Sequence, residues 1–250
     1  MKKNKVIHIK GIYLLALPIL FFVSGLVFPG QDQAEARQED KMFIWVTVYP
    51  TASLSRYDYQ NDLDLYELRA YVDIRTGSPA GKLLETAQIM VEGHQLELEE
   101  GVYTARIPVN REQLPDSFSI EVNAEGYAAF SASYPLPNWL VIKRPRPAVI
   151  EAGRDLVVSW SFSSDKGPVN LRYYDFKNGT PRFNLNDLAN GEAVIPGELI
   201  KPDSIVRIFI MNSWIYKRFI ENRELARGSE VNVIPWSQVF LRTAGEQSAE

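Results

Sequence analysis

From residue 42 onward the chain is written in period two. Tyr66, Leu68, Ala70, Val72 and Ile74 alternate with Glu67, Arg69, Tyr71, Asp73 and Arg75. Phe118, Ile120 and Val122 alternate with Ser117, Ser119, Glu121 and Asn123, and Leu156, Val158, Trp160 and Phe162 alternate with Asp155, Val157, Ser159 and Ser161. One apolar and one mostly polar face is the signature of a half-buried antiparallel strand. A one-residue slip would drive the charges into the core, so each register is well specified.

Turn chemistry separates these runs. The stretch 76–81 (Thr76, Gly77, Ser78, Pro79, Ala80, Gly81) reads as a loop, and Glu92-Gly93-His94 and Glu99-Glu100-Gly101 read as tight turns. Asn178-Gly179, between strand-like 169–176 and 182–185, is the strongest hairpin signal, because both residues tolerate positive φ. Turns recur about every ten residues, the spacing of a sandwich or barrel. No long amphipathic helix is evident after the leader. Residues 216–227 have a helix-compatible composition, yet 214–219 is aromatic enough for a strand. The predicted fold is all-β: two tandem antiparallel β-sandwich domains after an N-terminal signal or anchor helix.

The leader is residues 1–36. Lys2, Lys3, Lys5 and Lys10 precede an apolar run at 12–28, Pro29-Gly30 breaks it, and Ala34-Glu35-Ala36 offers a small-x-small cleavage site. This is the three-part plan of a secretory signal peptide, with cleavage expected after Ala36. Read as an uncleaved anchor, residues 12–28 would be the membrane contact, and the lysines would still stay on the cytoplasmic side. Either way the remainder is expected to be exported, to a periplasm, cell envelope or the extracellular space. Beyond the leader the plan is a first sandwich at 42–134, a Pro-rich linker at 135–147, a second sandwich at 145–243 and a polar, disordered tail at 244–250. Pro135, Pro137, Pro145 and Pro147 mark the linker, in which Val141 and Ile142 are free to pair with a neighbouring domain. Lys143, Arg144 and Arg146 read as a solvated, semi-rigid stretch rather than a phosphate patch.

Composition narrows the chemistry. Residues 1–36 hold four of the 27 Lys+Arg and two of the 31 Asp+Glu, which leaves the exported part near −6. An acidic balance argues against a nucleic-acid partner, which needs a basic face. There is no cysteine, so burial alone stabilises the fold, and thiol catalysis, zinc-thiolate sites and cysteine-linked lipid are excluded.

One stretch carries a family resemblance. Gly93 follows the strand-like Ala87–Val91 segment, then come Leu96, Gly101-Val102-Tyr103, Phe118 to Val122, and Gly126-Tyr127. This resembles the bacterial immunoglobulin-like and transthyretin-like (carboxypeptidase regulatory-like) accessory domains. Each Gly makes a turn, and each Tyr buries its ring while its hydroxyl reaches the rim. The second region is similar to immunoglobulin-like or fibronectin type III-like sandwiches through Gly153, Leu156 to Trp160, Ile195-Pro196 and Ser204 to Ile210. There Trp160 is expected as the core ring between two sheets. The resemblance implies spacers, adhesive modules or accessory domains, and hence a non-enzyme; fold does not fix function.

Candidate chemistry is sparse. His94 is the single histidine after the leader, lies in a turn, and accompanies no Gly-x-Ser-x-Gly motif, so neither a triad nor a multi-histidine metal site is expected. Asp58, Asn61, Asp62, Asp64 and Glu67 crowd one segment with oxygen ligands, but lack EF-hand spacing and read as a solvated acidic loop. No cofactor is expected. Asn178-Gly179-Thr180 matches a glycosylation acceptor but is explained as a hairpin turn. The binding candidate is Tyr57, Tyr59 and Asn61, with Tyr49, Tyr66 and Arg56 alongside and Trp139, Trp214 and Trp236 as further rings. Aromatics beside polar side chains suit sugar stacking or a protein interface; the competing reading is that these rings cap the core. The sequence thus points to a non-catalytic interaction or scaffold protein whose partner is a protein or surface glycan. Two other readings stand beside it: a carboxylate-dependent carbohydrate-active or cell-wall enzyme with an interdomain site, and an envelope-complex subunit held by edge-strand pairing.

Overall fold

The computed structural model describes residues 40–55, 64–136, 139–146, 149–162, 167–177, 181–213 and 215–244. In chain order the first strands are β1 (Met42–Ser55), β2 (Asp64–Thr76), β3 (Gln88–Val91), β4 (His94–Gln95), β5 (Glu97–Glu99), β6 (Val102–Pro108), β7 (Ser117–Asn123) and β8 (Phe130–Pro135). There follow β9 (Leu140–Arg144), β10 (Val149–Ile150), β11 (Leu156–Phe162), β12 (Val169–Asp175), β13 (Pro181–Leu188), β14 (Glu192–Ile195), β15 (Ile205–Asn212), β16 (Tyr216–Phe219), β17 (Glu230–Val233) and β18 (Trp236–Thr243). Among the described residues the helical content is one 3-10 turn, Gly197–Leu199, and no helix is long and apolar enough to cross a membrane.

The strands form one long sheet and two short ones. The long sheet runs β13-β12-β15-β18-β1-β2-β6-β5, with β10 joined to β18 and the β16-β17 pair joined to β1. The short sheets are β14-β11-β9 and β4-β3-β7-β8. Each short sheet covers one half of the same face of the long sheet, and an apolar core fills each gap. The first core joins Ile44, Val46, Leu68, Val72, Tyr103, Ile89, Phe118, Ile120 and Trp139, and takes in Val231 and Val233 from β17. The second joins Val158, Trp160, Leu171, Tyr173, Ile195, Ile208 and Val239 with Leu54 from the far end of β1. β1 therefore serves both. Its first half pairs in parallel with β17 (Trp45↔Glu230 to Val48↔Val233), its second half in parallel with β18 (Thr51↔Trp236 to Ser55↔Phe240), and β2 runs antiparallel along its length. The predicted antiparallel pairing thus holds for most strands, with parallel contacts where β1 meets β17 and β18 and where β10 meets β18.

The alternation read from sequence sets the core faces. Tyr66, Leu68, Ala70, Val72 and Ile74 are all buried, as are Phe118, Ile120 and Val122. Trp160 is the expected core ring, 6% exposed. The turns use positive φ where hairpin twist demands it: Glu92 (48°) with Gly93 (71°), and Glu100 (49°) with Gly101 (86°). Val141 and Ile142 lie in β9, which pairs with β11, and of the two readings of 216–227 the strand is found, as β16. Asn178-Gly179 lies outside the described residues; β12 and β13 pair on either side of it.

Candidate binding face

The long sheet has a second face, turned away from both cores. On β12, β15 and β18 the positions that point there are Tyr174, Arg207, Phe209, Trp236, Gln238 and Phe240, brought side by side by the register Arg207↔Phe240, Phe209↔Gln238 and Tyr174↔Arg207. On β1 and β2 they are Trp45, Tyr49, Glu67, Arg69 and Tyr71. The core parity of these strands is aliphatic: Val206, Ile208 and Ile210 on β15 are fully buried.

These outward side chains stack into a ladder of rings and guanidinium groups. Phe176 stacks on Phe240 with centroids 6.0 Å apart and planes 18° apart. Arg207 sits between three rings, its Cζ 5.0 Å from Phe209, 5.4 Å from Tyr174 and 5.9 Å from Phe240. Phe209 meets Trp236 at 5.4 Å, and Arg69 lies 5.0 Å over Trp236. Arg69 is held by an ion pair to Glu67, which is buried. Next along β1 and β2, Tyr49 meets Tyr71 edge-on at 5.6 Å. A guanidinium over an aromatic face gains from the ring quadrupole, and more so when water is excluded. Burial pulls the Arg207 pKa below the usual arginine range, Tyr174 works against that shift, and the like charge of Arg69 adds to it. Arg207 Nε is buried without a hydrogen-bond partner. Burial, with a smaller contribution from Tyr71, raises the Tyr49 pKa.

Most of the ladder is half-buried, but several rings on this face are open to solvent: Phe176 (53% exposed), Trp45 (46%) and Tyr71 (39%). The surface offers flat rings flanked by hydrogen-bonding groups, which suits stacking against a sugar or packing in a protein interface.

The residues singled out from sequence fall as follows. Tyr57, Tyr59 and Asn61, with Arg56, Asp58 and Asp62, lie outside the described residues, as do Trp214 and the leader with Ala34 and Ala36. Of the other rings, Tyr66 and Trp139 pack together at 6.3 Å in the first core, and Trp139 Nε1 donates to Pro115 O at 2.9 Å. These two cap the core. Trp236 is 8% exposed because Phe209 and Arg69 cover it within the ladder. His94 is exposed in β4, with Nδ1 2.9 Å from Glu92 O. Among the described residues no three His, Cys, Asp or Glu side chains gather closely enough to hold a metal ion. The sequence reading missed Tyr174, Arg207, Phe209 and Phe240. Their signal was available: the parity of β15 and β18 that should face water carries Phe209, Trp236 and Phe240 with Arg207 and Arg242, where the same parity of β2 carries mainly charge.

No protein-family model matches the chain, and no curated protein matches it. Among solved structures the chain is similar to the fibronectin(III)-like modules of Clostridium thermocellum CbhA, at 8% identity and TM-score 0.23, over 80% of this chain and 95% of that one. It is also similar to the BSP domain of a biofilm associated protein, at 14% identity and TM-score 0.24, over 82% of this chain and 31% of that one. The IG1+IG2 pair of DIP-gamma overlaps at 7% identity and TM-score 0.23, over 82% and 98% of the two chains. Overlaps at these TM-scores assign nothing to the chain; its architecture rests on the strand pairing and the two cores.

Proposed function

We propose that the chain is an exported, non-catalytic interaction or scaffold protein of the cell envelope or extracellular space, and that its partner is a protein or a surface glycan. The observation that carries this reading is the ladder of aromatic rings and arginines on the face of the long sheet turned away from both cores. Aromatic residues and arginine dominate the energetics of protein interfaces, and flat rings bind the apolar faces of sugars. Apart from Phe176, in the turn just past β12, the ladder is built on paired strands, so little ordering cost falls on binding. Tyr57, Tyr59 and Asn61, the candidates read from sequence, are kept as a second set of proposed contacts. A hydrolytic reading would need two available carboxylates, whereas Glu67, the acid beside the ladder, is buried and ion-paired with Arg69.

The test is retention of partners from envelope extract, followed by a glycan array, comparing the full chain with a Phe176→Ala/Tyr71→Ala variant and a Tyr57→Ala/Tyr59→Ala variant. Phe176 and Tyr71 are exposed, so the first variant should keep its fold, checked by circular dichroism. A partner held by the parent chain and lost by the first variant, by about tenfold or more in affinity, supports the ladder. Equal retention by all three forms refutes it.

A further inference from the structure

Beside the first core, β8 pairs only with β7 and β16 only with β17 among the described residues, and between these two edges lies a groove of about 690 Å³ lined by Phe130, Ala132, Tyr134, Arg218, Phe219 and Ile220 among others. The direction of the backbone groups on both edges follows from the register. Leu136 N donates to Asp116 O at 2.7 Å, which makes Tyr134↔Phe118, Ala132↔Ile120 and Phe130↔Val122 the hydrogen-bonded pairs of β7 and β8. The N–H and C=O groups of Ser131 and Ser133 therefore point away from β7, into the opening. In the same way the bond from Ile220 N to Ser229 O at 2.8 Å turns the backbone groups of Lys217 and Phe219 away from β17.

Natural sheets guard such edges with charges, bulges or brevity. β5 has Glu97 and Glu99, β14 has Glu192, β13 has register shifts, and β4 is two residues long. β8 (Phe130, Ser131, Ala132, Ser133, Tyr134, Pro135) has no charged residue and no register shift across its six pairs; Pro135 stops it only at its end. Beneath the opening, Ala132, Tyr216 and Ile220 are only partly buried against the first core.

We infer that the β8 edge receives an extended segment of a partner protein as an added antiparallel or parallel strand, and that this segment carries an acidic residue toward Arg218. The charge of the groove chooses the occupant. The charged residues lining it are Lys217, Arg218 and Glu221, within a chain of net charge −4. Arg218 lies 5.2 Å over the Tyr216 ring and is in no ion pair among the described residues, whereas Lys217 is already paired with Glu230. A second copy docking edge to edge would gather the same cations around one axis. An acidic, otherwise apolar-alternating strand meets the backbone groups of Ser131 and Ser133, fills the space above Ala132 and Ile220, and neutralises Arg218. This deepens the interaction reading above but uses a different surface from the ladder.

The experiment is amide hydrogen exchange on the full chain with a synthetic peptide that alternates valine with threonine and aspartate, and with its lysine-for-aspartate counterpart. The acidic peptide is expected to protect the Ser131 and Ser133 amides, and the lysine peptide to bind about fivefold more weakly, the scale of one exposed ion pair. A Ser133→Pro variant removes an N–H that no β7 carbonyl uses, so the chain keeps its own ladder but loses the peptide. An Arg218→Glu variant should reverse the preference between the two peptides. The Phe176→Ala/Tyr71→Ala variant should bind the peptide like the parent; loss there with retention by Ser133→Pro would place the peptide on the ladder and overturn the edge. The inference also fails if neither amide gains protection, if Ser133→Pro binds as the parent does, or if the two amides become protected with rising protein concentration alone, which would make a second copy the occupant.

Discussion

Removing the Tyr103 hydroxyl is a sharp check on how the first sandwich is held. Tyr103 is 3% exposed on β6, and its ring fills the first core. Its hydroxyl leaves that core and donates to Leu84 O at 2.7 Å, while it accepts from Ala87 N at 3.1 Å. It thereby ties the segment before β3 to the long sheet. Tyr103→Phe keeps the ring and deletes both bonds. Ala87 N retains a long contact to Leu84 O at 3.4 Å, so the Leu84 carbonyl bears most of the loss. One neutral hydrogen bond is worth about 1 kcal/mol, and a buried carbonyl left bare adds to that, so the expected cost is about 1.5–2.5 kcal/mol. With a urea slope of about 2 kcal/mol/M, the unfolding midpoint should fall by roughly 1 M with the slope unchanged. The pH dependence carries an independent mark. Burial raises the Tyr103 pKa, the Ala87 backbone bond lowers it, and the nearby Glu85 charge raises it; the net shift is upward. A group raised on folding stabilises fully below its unfolded pKa and loses that contribution as pH climbs through the folded value. The parent should therefore weaken above about pH 10, and the variant should lose part of that alkaline sensitivity. A midpoint within about 0.2 M of the parent would refute the anchoring role, since it corresponds to less than one hydrogen bond.

Three further outcomes are expected. Ser204→Ala removes the 2.5 Å bond from Ser204 Oγ to the fully buried Asp175, and should cost about 1.5–3 kcal/mol, read as a fall in Tm. A Cβ on Gly197 would stand 2.5 Å from Gly153 O and 2.6 Å from Arg154 C, both rigid backbone, whereas one on Gly93 meets nothing within 4 Å and suffers only the positive φ of 71°. Gly197→Ala should therefore destabilise by more than about 2 kcal/mol and Gly93→Ala by about 1 kcal/mol in matched urea titrations. Burial raises the Glu230 pKa, but bonds to Asn232 and Lys217 and the Lys217 charge outweigh it and leave it below the usual carboxylate range. That contribution is present above the ordinary glutamate pKa and lost as pH falls through the lower folded value; Lys217→Ala should flatten this acid limb by under about 1 kcal/mol, because Lys217 is half exposed.

What could be read from sequence was local. The parity of β2, β7 and β11 was legible because each strand has one solvated and one buried face, so burial follows from neighbours two residues apart. The turns at Glu92-Gly93 and Glu100-Gly101 were legible because their backbone favours glycine. The binding ladder was not. Arg69 and Trp236 meet across β1 only because β18 pairs with β1 in parallel, a contact between residues far apart in sequence. Nor could local alternation reveal that β1 would lend Ile44 and Val46 to one core and Leu54 to the other. Tyrosine density in the sequence points instead to the segment joining β1 and β2. The strands flanking that segment carry Tyr49, Tyr66 and Tyr71, of which Tyr66 belongs to the core and Tyr49 and Tyr71 to the outer face.

The ladder contains two kinds of residue, and Arg207 separates them. Its half-buried side chain packs against Tyr174, Phe209 and Phe240, and its Nε is buried with no hydrogen-bond partner, so a partner molecule reaches only part of it. It acts as an internal rivet that aligns the rings. The seam beneath is tied as well: Ser237 Oγ donates to Ala52 O at 2.9 Å, Gln238 Nε2 to Ser53 Oγ at 2.8 Å, and Thr51 Oγ1 to Glu67 O at 3.1 Å. The face is thus preorganised, and recognition falls to its open rings. Arg207→Lys, which loses the flat group that stacks on three rings, should cost about 1–2 kcal/mol of stability. Arg207→Met keeps apolar coverage and removes a partly desolvated charge, so its cost should be under about 1 kcal/mol. Both variants should still bind whatever partner the parent binds, once measured below their unfolding transitions, while Phe176→Ala/Tyr71→Ala should lose the partner at unchanged Tm. If Arg207→Met abolishes binding and leaves Tm alone, Arg207 is itself the contact, and the division between rivet and open rings is wrong.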